Sequence, residues 1–208
     1  MESISKGLEE KVEEELQRQR IQDRRDRRKK GFKVLREIFG WIIYILVVIL
    51  VTYLIVTYVG QRTKVSGPSM EESLHNGDNL IVDKISYRFR DPERFEIIVF
   101  PYQYAEDTFY IKRIIGMPGD TVQIKDGYVY INDELLEEDI YGKEVIDETK
   151  KGIADEPIEL GDDEYFVMGD NRNHSSDSRD PSVGVLKRDQ LVGRAWLRVW
   201  PFEDFEVL

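Results

Sequence analysis

The chain has 208 residues, no cysteine, two histidines and a formal net charge of −11. Without cysteine there is no disulfide, no thiolate nucleophile and no cysteine-ligated zinc, and His75 and His174 alone cannot build a histidine-rich metal site. Residues 1–60 hold 12 Lys/Arg against 9 Asp/Glu and residues 61–208 hold 18 against 32, so the larger part is acidic and lacks the basic face that a nucleic-acid partner requires.

Residues 1–37 are densely charged, with Leu8, Val12, Leu16 and Ile21 as a thin apolar stripe at near-helical spacing. This segment reads as a solvated, partly helical tail. Ile38 to Val59 then runs for 22 residues without a charge. At about 1.5 Å per residue such a helix is roughly 33 Å long, enough for a bilayer core. Trp41 and Tyr58 stand near its ends, where amphipathic rings favour the interface. The apolar region is longer than that of a cleaved leader and no small-x-small site follows it, so a permanent anchor is expected over 38–59. Cations set its orientation. Arg24, Arg25, Arg27, Arg28, Lys29, Lys30, Lys33 and Arg36 precede it, whereas only Arg62 and Lys64 follow closely. The N-terminus is therefore expected in the cytoplasm and residues 60–208 on the outer face of the cell membrane.

The outer part reads as mainly β. Leu80–Val82, Ile97–Phe100, Phe109–Ile115, Thr121–Ile124, Tyr128–Ile131, Tyr165–Met168 and Ala195–Trp200 are short, rich in β-branched or aromatic residues, and separated by turn signals. Asp126-Gly127 between two of these runs predicts a hairpin. Residues 133–164 are acidic with little pattern, and are expected to form a surface excursion.

Ser66-Gly67-Pro68-Ser69-Met70 lies between the anchor and the strands. Glycine permits unusual φ and proline fixes its own, so Ser69 is held in a defined direction. As a nucleophile it needs an adjacent base. His75 sits in a His-Asn-Gly-Asp sequence and reads as a solvent-facing turn residue. His174 lies in a loop dense in small polar groups, Gly169 to Arg179. It fits either a triad with Asp170 or Asp177, or a hydrogen-bonded structural loop. Lys112 is the other candidate. Strand alternation places Tyr110, Lys112 and Ile114 on one face and Phe109, Ile111, Arg113 and Ile115 on the other. Both faces are otherwise apolar, so at least one cation lies in or near a core. Burial can neutralise a lysine but not an arginine. Lys112 is thus either a general base or a lysine whose stem packs while its head reaches water, and Arg113 is expected to pair with Asp170 or Asp177.

Taken together, these segments resemble the bacterial type I signal peptidases, membrane-anchored proteases with a serine–lysine dyad. Four stretches carry the resemblance, in order: Ser66-Gly67-Pro68-Ser69-Met70 with Leu74; Tyr110-Ile111-Lys112-Arg113-Ile114-Ile115-Gly116-Met117-Pro118-Gly119-Asp120; Gly169-Asp170-Asn171-Arg172 through Asp177-Ser178-Arg179; and Gly193-Arg194-Ala195-Trp196 with Trp200-Pro201-Phe202. The resemblance implies Ser69 as nucleophile and Lys112 as general base. It implies that Ser175 holds the lysine head by its hydroxyl, that Asp170, Arg113, Asp177 and Arg179 brace the site through ion pairs, and that Met70, Leu74 and Tyr110 help line a pocket for a small side chain. The implied fold is one of coiled antiparallel sheets, shared with the repressor-type proteases. The implied substrates are preproteins bearing signal peptides, cut at the membrane surface without metal or cofactor.

The chain departs from the family pattern in four places. Gly67 stands where some relatives have a serine that donates to the oxyanion, which leaves more of that work to the Ser69 backbone N–H. Glu72-Ser73-Leu74 replaces a frequent Pro-Thr-Leu, Arg94-Phe95-Glu96 replaces a frequent Arg-Gly-Asp, and His174 stands where Asn is usual, which argues against a triad. Two other functions compete: a membrane-tethered β module that binds peptides without chemistry, and a Ser–Lys protease dedicated to one target.

Overall fold

The structure is a computed structural model that describes residues 33, 35–54, 60–71, 73–137, 140–142 and 144–208. The chain divides into two units, residues 1–54 and 55–208. The described part of the first is one helix, α1 (Leu35–Leu54), long and apolar enough to cross a membrane. Its large apolar side chains, from Leu35 to Leu54, are exposed, as suits a helix whose solvent is lipid. One N-terminal apolar helix of this kind fits a membrane anchor. The expected span ran to Val59, and residues 55–59 lie outside the described residues, as does the charged tail through residue 32.

The second unit is mainly antiparallel β. Its strands are β1 (Gly60–Lys64), β2 (Asn79–Asp83), β3 (Ile97–Pro101), β4 (Phe109–Gly116), β5 (Thr121–Lys125), β6 (Tyr128–Ile131), β7 (Glu134–Leu135), β8 (Ile158–Glu159), β9 (Glu164–Met168), β10 (Leu186–Lys187), β11 (Gly193–Trp200) and β12 (Glu206–Val207). One sheet has the order β1-β2-β11-β3-β4-β9-β10, with β12 added to β11, and the other has β7-β6-β5-β8. Each of the seven expected runs forms a strand, whereas β1, β7, β8, β10 and β12 were not foreseen. The two-residue strands are too short to show a period of two, and β1, Gly-Gln-Arg-Thr-Lys, has no apolar face to reveal it.

The larger sheet is buried on both faces, and β3 shows how. Ile97 and Val99 enter one apolar cluster with Val65, Met70, Leu74, Leu80 and Ile111. Ile98 and Phe100 enter another with Ile114, Tyr165 and Val167. A third cluster is built on the smaller sheet, where Val122, Ile124, Val129 and Ile131 meet Ile115, Phe166 and Met168. The chain crosses between sheets at Gly116, beside an irregularity in the β4–β9 register. A Cβ there would lie 2.6 Å from the Val122 side chain and 2.7 Å from that of Leu160, so glycine leaves the room those core side chains fill. In the hairpin turn Asp126 (φ 50°) and Gly127 (φ 80°) both take the left-handed conformation, which matches the twist of the flanking strands β5 and β6.

The described residues of 133–164 combine exposed stretches with a few buried points. They supply β7 and β8, and Ile146, Ala154 and Leu160 are buried in the third cluster. Three isolated apolar residues separated by acidic stretches carry no strand or helix period, which is why the sequence does not reveal them.

Candidate active site

The segment after β1 is anchored at both ends. Val65 N–H donates to Asp78 O (2.8 Å) and Gly77 N–H to Val65 O (3.0 Å). Gly67, at φ 91°, occupies a backbone region that side-chain-bearing residues avoid, and its N–H donates to Asn76 Oδ1 (3.2 Å). Beyond Ser69 the chain makes one helical turn, closed by Leu74 N–H to Met70 O at 2.8 Å. Met70 and Leu74, four residues apart, fall on the same side of that turn and sink into the cluster beneath the sheet. This buried pair holds the loop down while Ser69 stays half-exposed above it.

Lys112 arrives from β4. Its side chain is almost wholly buried, the residue being 4% exposed, and its Nζ donates to Ser69 Oγ and to Ile111 O, each at 2.9 Å. Burial pushes the ammonium down from its usual range to about 8. The carboxylates of Asp177 and Asp170 oppose that shift and Arg179 assists it. The Tyr110 ring lies 5.1 Å from Nζ.

Both arginine–carboxylate pairs are buried and bidentate. Arg113 donates from Nε to Asp170 Oδ1 (2.8 Å) and from Nη2 to Asp170 Oδ2 (2.6 Å). Its remaining donors reach Phe95 O (2.7 Å) and Ser73 Oγ (3.1 Å). Arg179 donates from Nε and Nη2 to the two oxygens of Asp177, each at 2.8 Å, and Asp177 also accepts from Gly169 N–H at 2.9 Å. Fully satisfied pairs of this kind fix geometry, because any slippage strands a charge in a low-dielectric interior. They hold the loop Gly169–Arg179 in place, and that loop grips the Ser69 segment. Asn171 N–H donates to Ser69 O (3.1 Å) and Asn171 Nδ2 to Pro68 O (3.2 Å). Gly169 backs onto the same point: a Cβ on it would sit 2.4 Å from Ser69 O and 2.3 Å from Ser175 Oγ.

The structure thus brings together Ser69, Lys112, Asp170, Arg113, Asp177 and Arg179. Two expectations differ. Ser175 Oγ is buried but has no hydrogen-bond partner among the described residues, so it does not hold the Lys112 head; the ammonium turns to Ile111 O instead. Leu74 is wholly inside the core and does not line the cleft, because the helical turn after Ser69 points it inward. His174 lies on the exposed side of its loop, its Nδ1 3.1 Å from Asn171 Oδ1, and takes no part in a triad. His75 is exposed as well, 3.6 Å from Glu71.

Met70 and Tyr110 line a cleft of about 230 Å³ with Ser69, Lys112, Phe109 and Ser176. A larger groove, about 590 Å³, runs beside β6 and β7 between Arg94 and Glu137. Its lining offers the carboxylates of Glu134 and Glu137 but no serine and no lysine, whereas the smaller cleft pairs a hydroxyl with a buried lysine. Asn171, Ser73 and Ser176 belong to the site and were not singled out from the sequence. Asn171 lies in the polar loop that was, but nothing in a run of small polar residues tells which one reaches back to Ser69.

A family model described as signal peptidase, peptidase S26, matches residues 38–200. The chain is 42% identical over 151 residues to a probable signal peptidase I-2 of Synechocystis sp., an alignment covering 70% of this chain and 65% of that protein. It is 32% identical over 188 residues to signal peptidase I P of Bacillus subtilis subsp. natto, covering 86% of this chain and 95% of that protein. The crystal structure of a signal peptidase I from Enterococcus faecalis V583 matches with a TM-score of 0.42 and 32% identity, over 50% of this chain and 97% of that one. Residues 38–200, which the family model matches, include the apolar helix, the Ser69 segment, β4 and the loop Gly169–Arg179: the chain belongs to the signal peptidase family, peptidase S26.

Proposed function

We propose that this chain is a membrane-anchored serine endopeptidase that removes signal peptides from exported preproteins, with Ser69 as nucleophile and Lys112 as general base. The observation that carries the reading is the 2.9 Å contact between Ser69 Oγ and the Nζ of an almost fully buried lysine. A serine hydroxyl is inert until a base takes its proton, and a lysine is a base only when its surroundings disfavour the ammonium.

The reaction runs in two halves. Neutral Lys112 takes the Ser69 proton as Oγ attacks the scissile carbonyl. The oxyanion so formed is met by the Ser69 backbone N–H, which has no other partner among the described residues. When the C–N bond breaks, the lysine gives its proton to the leaving amine of the mature protein. Lys112 then takes a proton from water, the hydroxide attacks the ester, and the signal peptide leaves with a new carboxylate as Ser69 recovers its proton. Fully buried Met70 and the Tyr110 ring leave the cleft shallow, which suits a small side chain before the cut.

The N-terminus is cytoplasmic in this reading, because the basic residues from Arg24 to Arg36 precede the span. Ser69 follows Val59 by ten residues, so a taut chain keeps it within roughly 35 Å of the outer bilayer surface. A signal peptide is itself embedded there, and tethering both partners to one surface raises their effective concentration. The test is cleavage of a preprotein in lipid vesicles by the wild type, Ser69→Ala and Lys112→Ala, with the cut site read by mass spectrometry. Loss of cleavage in both variants is expected. Processing by either one at the wild-type rate refutes the dyad, and a panel of unrelated preproteins separates a general peptidase from a dedicated one.

A further inference from the structure

The Arg113–Asp170 pair has a lid that the reaction does not use. Tyr141, from the acidic segment between β7 and β8, lays its ring over the Arg113 guanidinium, with Cζ 3.5 Å from the ring centroid. Phe95 packs against Tyr141 at 5.9 Å between centroids, and its carbonyl oxygen accepts from Arg113 Nη1 at 2.7 Å. Phe95 does this from φ 72°, a left-handed conformation that a bulky residue adopts only when its surroundings hold it there. One aromatic ring therefore stacks on the buried arginine and a second ring backs the first, while the residue carrying the second holds an unfavourable backbone from which its carbonyl accepts from that arginine.

The consequence reaches Lys112 through Asp170. With the rings in place, Arg113 is fixed on both oxygens of Asp170, and the arginine and aspartate side chains are 5% and 0% exposed. The charged groups that act on Lys112 are Asp177 and Asp170, which favour its ammonium, and Arg179, which opposes it. Asp170 is the one whose charge the lidded arginine neutralises. We infer that Phe95 and Tyr141 are positioning residues for the proposed peptidase reaction: they seal the Arg113–Asp170 pair so that Asp170 stays matched by arginine and dry, and Lys112 keeps the setting in which it works as a base. Removing a ring admits water and loosens Arg113. The lysine is then less desolvated and feels more of the Asp170 charge, and both changes favour the ammonium.

The inference rests on the Ser69–Lys112 reading, and the experiment separates the two. Full-length wild type, Tyr141→Phe, Tyr141→Leu and Phe95→Gly are assayed in vesicles on one preprotein from pH 6 to 10, with thermal unfolding measured in parallel. Phe95→Gly removes a ring while suiting the backbone, so it tests the idea even where Tyr141→Leu fails to fold. The expected result is a wild-type profile for Tyr141→Phe, which keeps the stacked ring. Tyr141→Leu and Phe95→Gly are expected to lose about tenfold in kcat at pH 7 with KM within about twofold, and to shift the rise in activity to higher pH. Wild-type kcat and profile in folded Tyr141→Leu or Phe95→Gly overturn the inference and leave the dyad intact. So does a fall in kcat with the pH profile unmoved, which marks the rings as structural only. A wild type that cleaves no preprotein sinks the underlying reading instead.

Discussion

Burying Lys112 costs the protein stability and, in the proposed reaction, supplies its base, and the two effects share one pH dependence. With the ammonium pushed down to about 8, about one lysine in eleven is neutral at pH 7, against about four in ten thousand at the ordinary value near 10.4. The same shift means that the unfolded chain binds this proton more tightly than the folded one. Stability must therefore rise with pH between about 8 and 10.4, where the unfolded state holds more protons, and the penalty is fully present below 8. At about 1.4 kcal/mol per unit, that penalty is about 3 kcal/mol at pH 7 and falls to about 1 kcal/mol near pH 9.5. Replacing Lys112 with Met keeps the unbranched stem and removes the charge. The stability difference between Lys112→Met and wild type should shrink by about 2 kcal/mol between pH 7 and pH 9.5, while activity is lost at every pH. Urea unfolding in detergent, followed by tryptophan fluorescence, reads the first; Trp196 and Trp200 both lie on β11. Stabilities that run parallel across that range, or wild-type activity that stays level from pH 6 to 10, refute the reasoning.

Asp170→Asn leaves Arg113 buried beside a neutral amide, so denaturant melts should show a loss of about 3–5 kcal/mol, the range for breaking a buried pair from one side. Gly169→Ala drives a methyl to 2.4 Å from Ser69 O; turnover should fall at least tenfold, while circular dichroism stays that of a folded β protein. His174→Ala should cleave within about twofold of wild type, because the imidazole is exposed and its bond among the described residues is to Asn171; a hundredfold loss would point to a histidine base. Leu74→Ala should destabilise by about 2–5 kcal/mol and leave cut-site preference unchanged, since the side chain fills the core rather than the cleft.

Much of the fold is written in local pattern. The strands β2 to β6, β9 and β11 have β-branched or aromatic runs of sufficient length, and β1, β7, β8, β10 and β12 do not. Ile146, Ala154 and Leu160 join the core from an acidic segment because long-range packing selects single side chains, and single side chains have no period. Within the site, a lysine and an arginine adjacent on an apolar strand already imply opposite faces and different chemistry. Sequence also narrowed the acid for Arg113 to Asp170 or Asp177. Only the structure assigns Asp170 to Arg113 and Asp177 to Arg179, because the choice depends on which face of β4 the loop Gly169–Arg179 crosses.

The sequence by itself determined the residue types with the needed chemistry, the apolar stretch that fits an anchor, and the turns that glycine and proline impose. These are properties of one residue and its near neighbours, and they survive without knowledge of the fold. Tertiary structure alone decided that Lys112 meets Ser69 across 43 positions, that Asn171 clamps the Ser69 segment, that the Ser175 hydroxyl has no partner among the described residues and that Leu74 turns inward. It also decided that Tyr141 covers Arg113. The physical reason is that burial and long-range contact set a side chain's protonation and direction, and neither is encoded in local spacing.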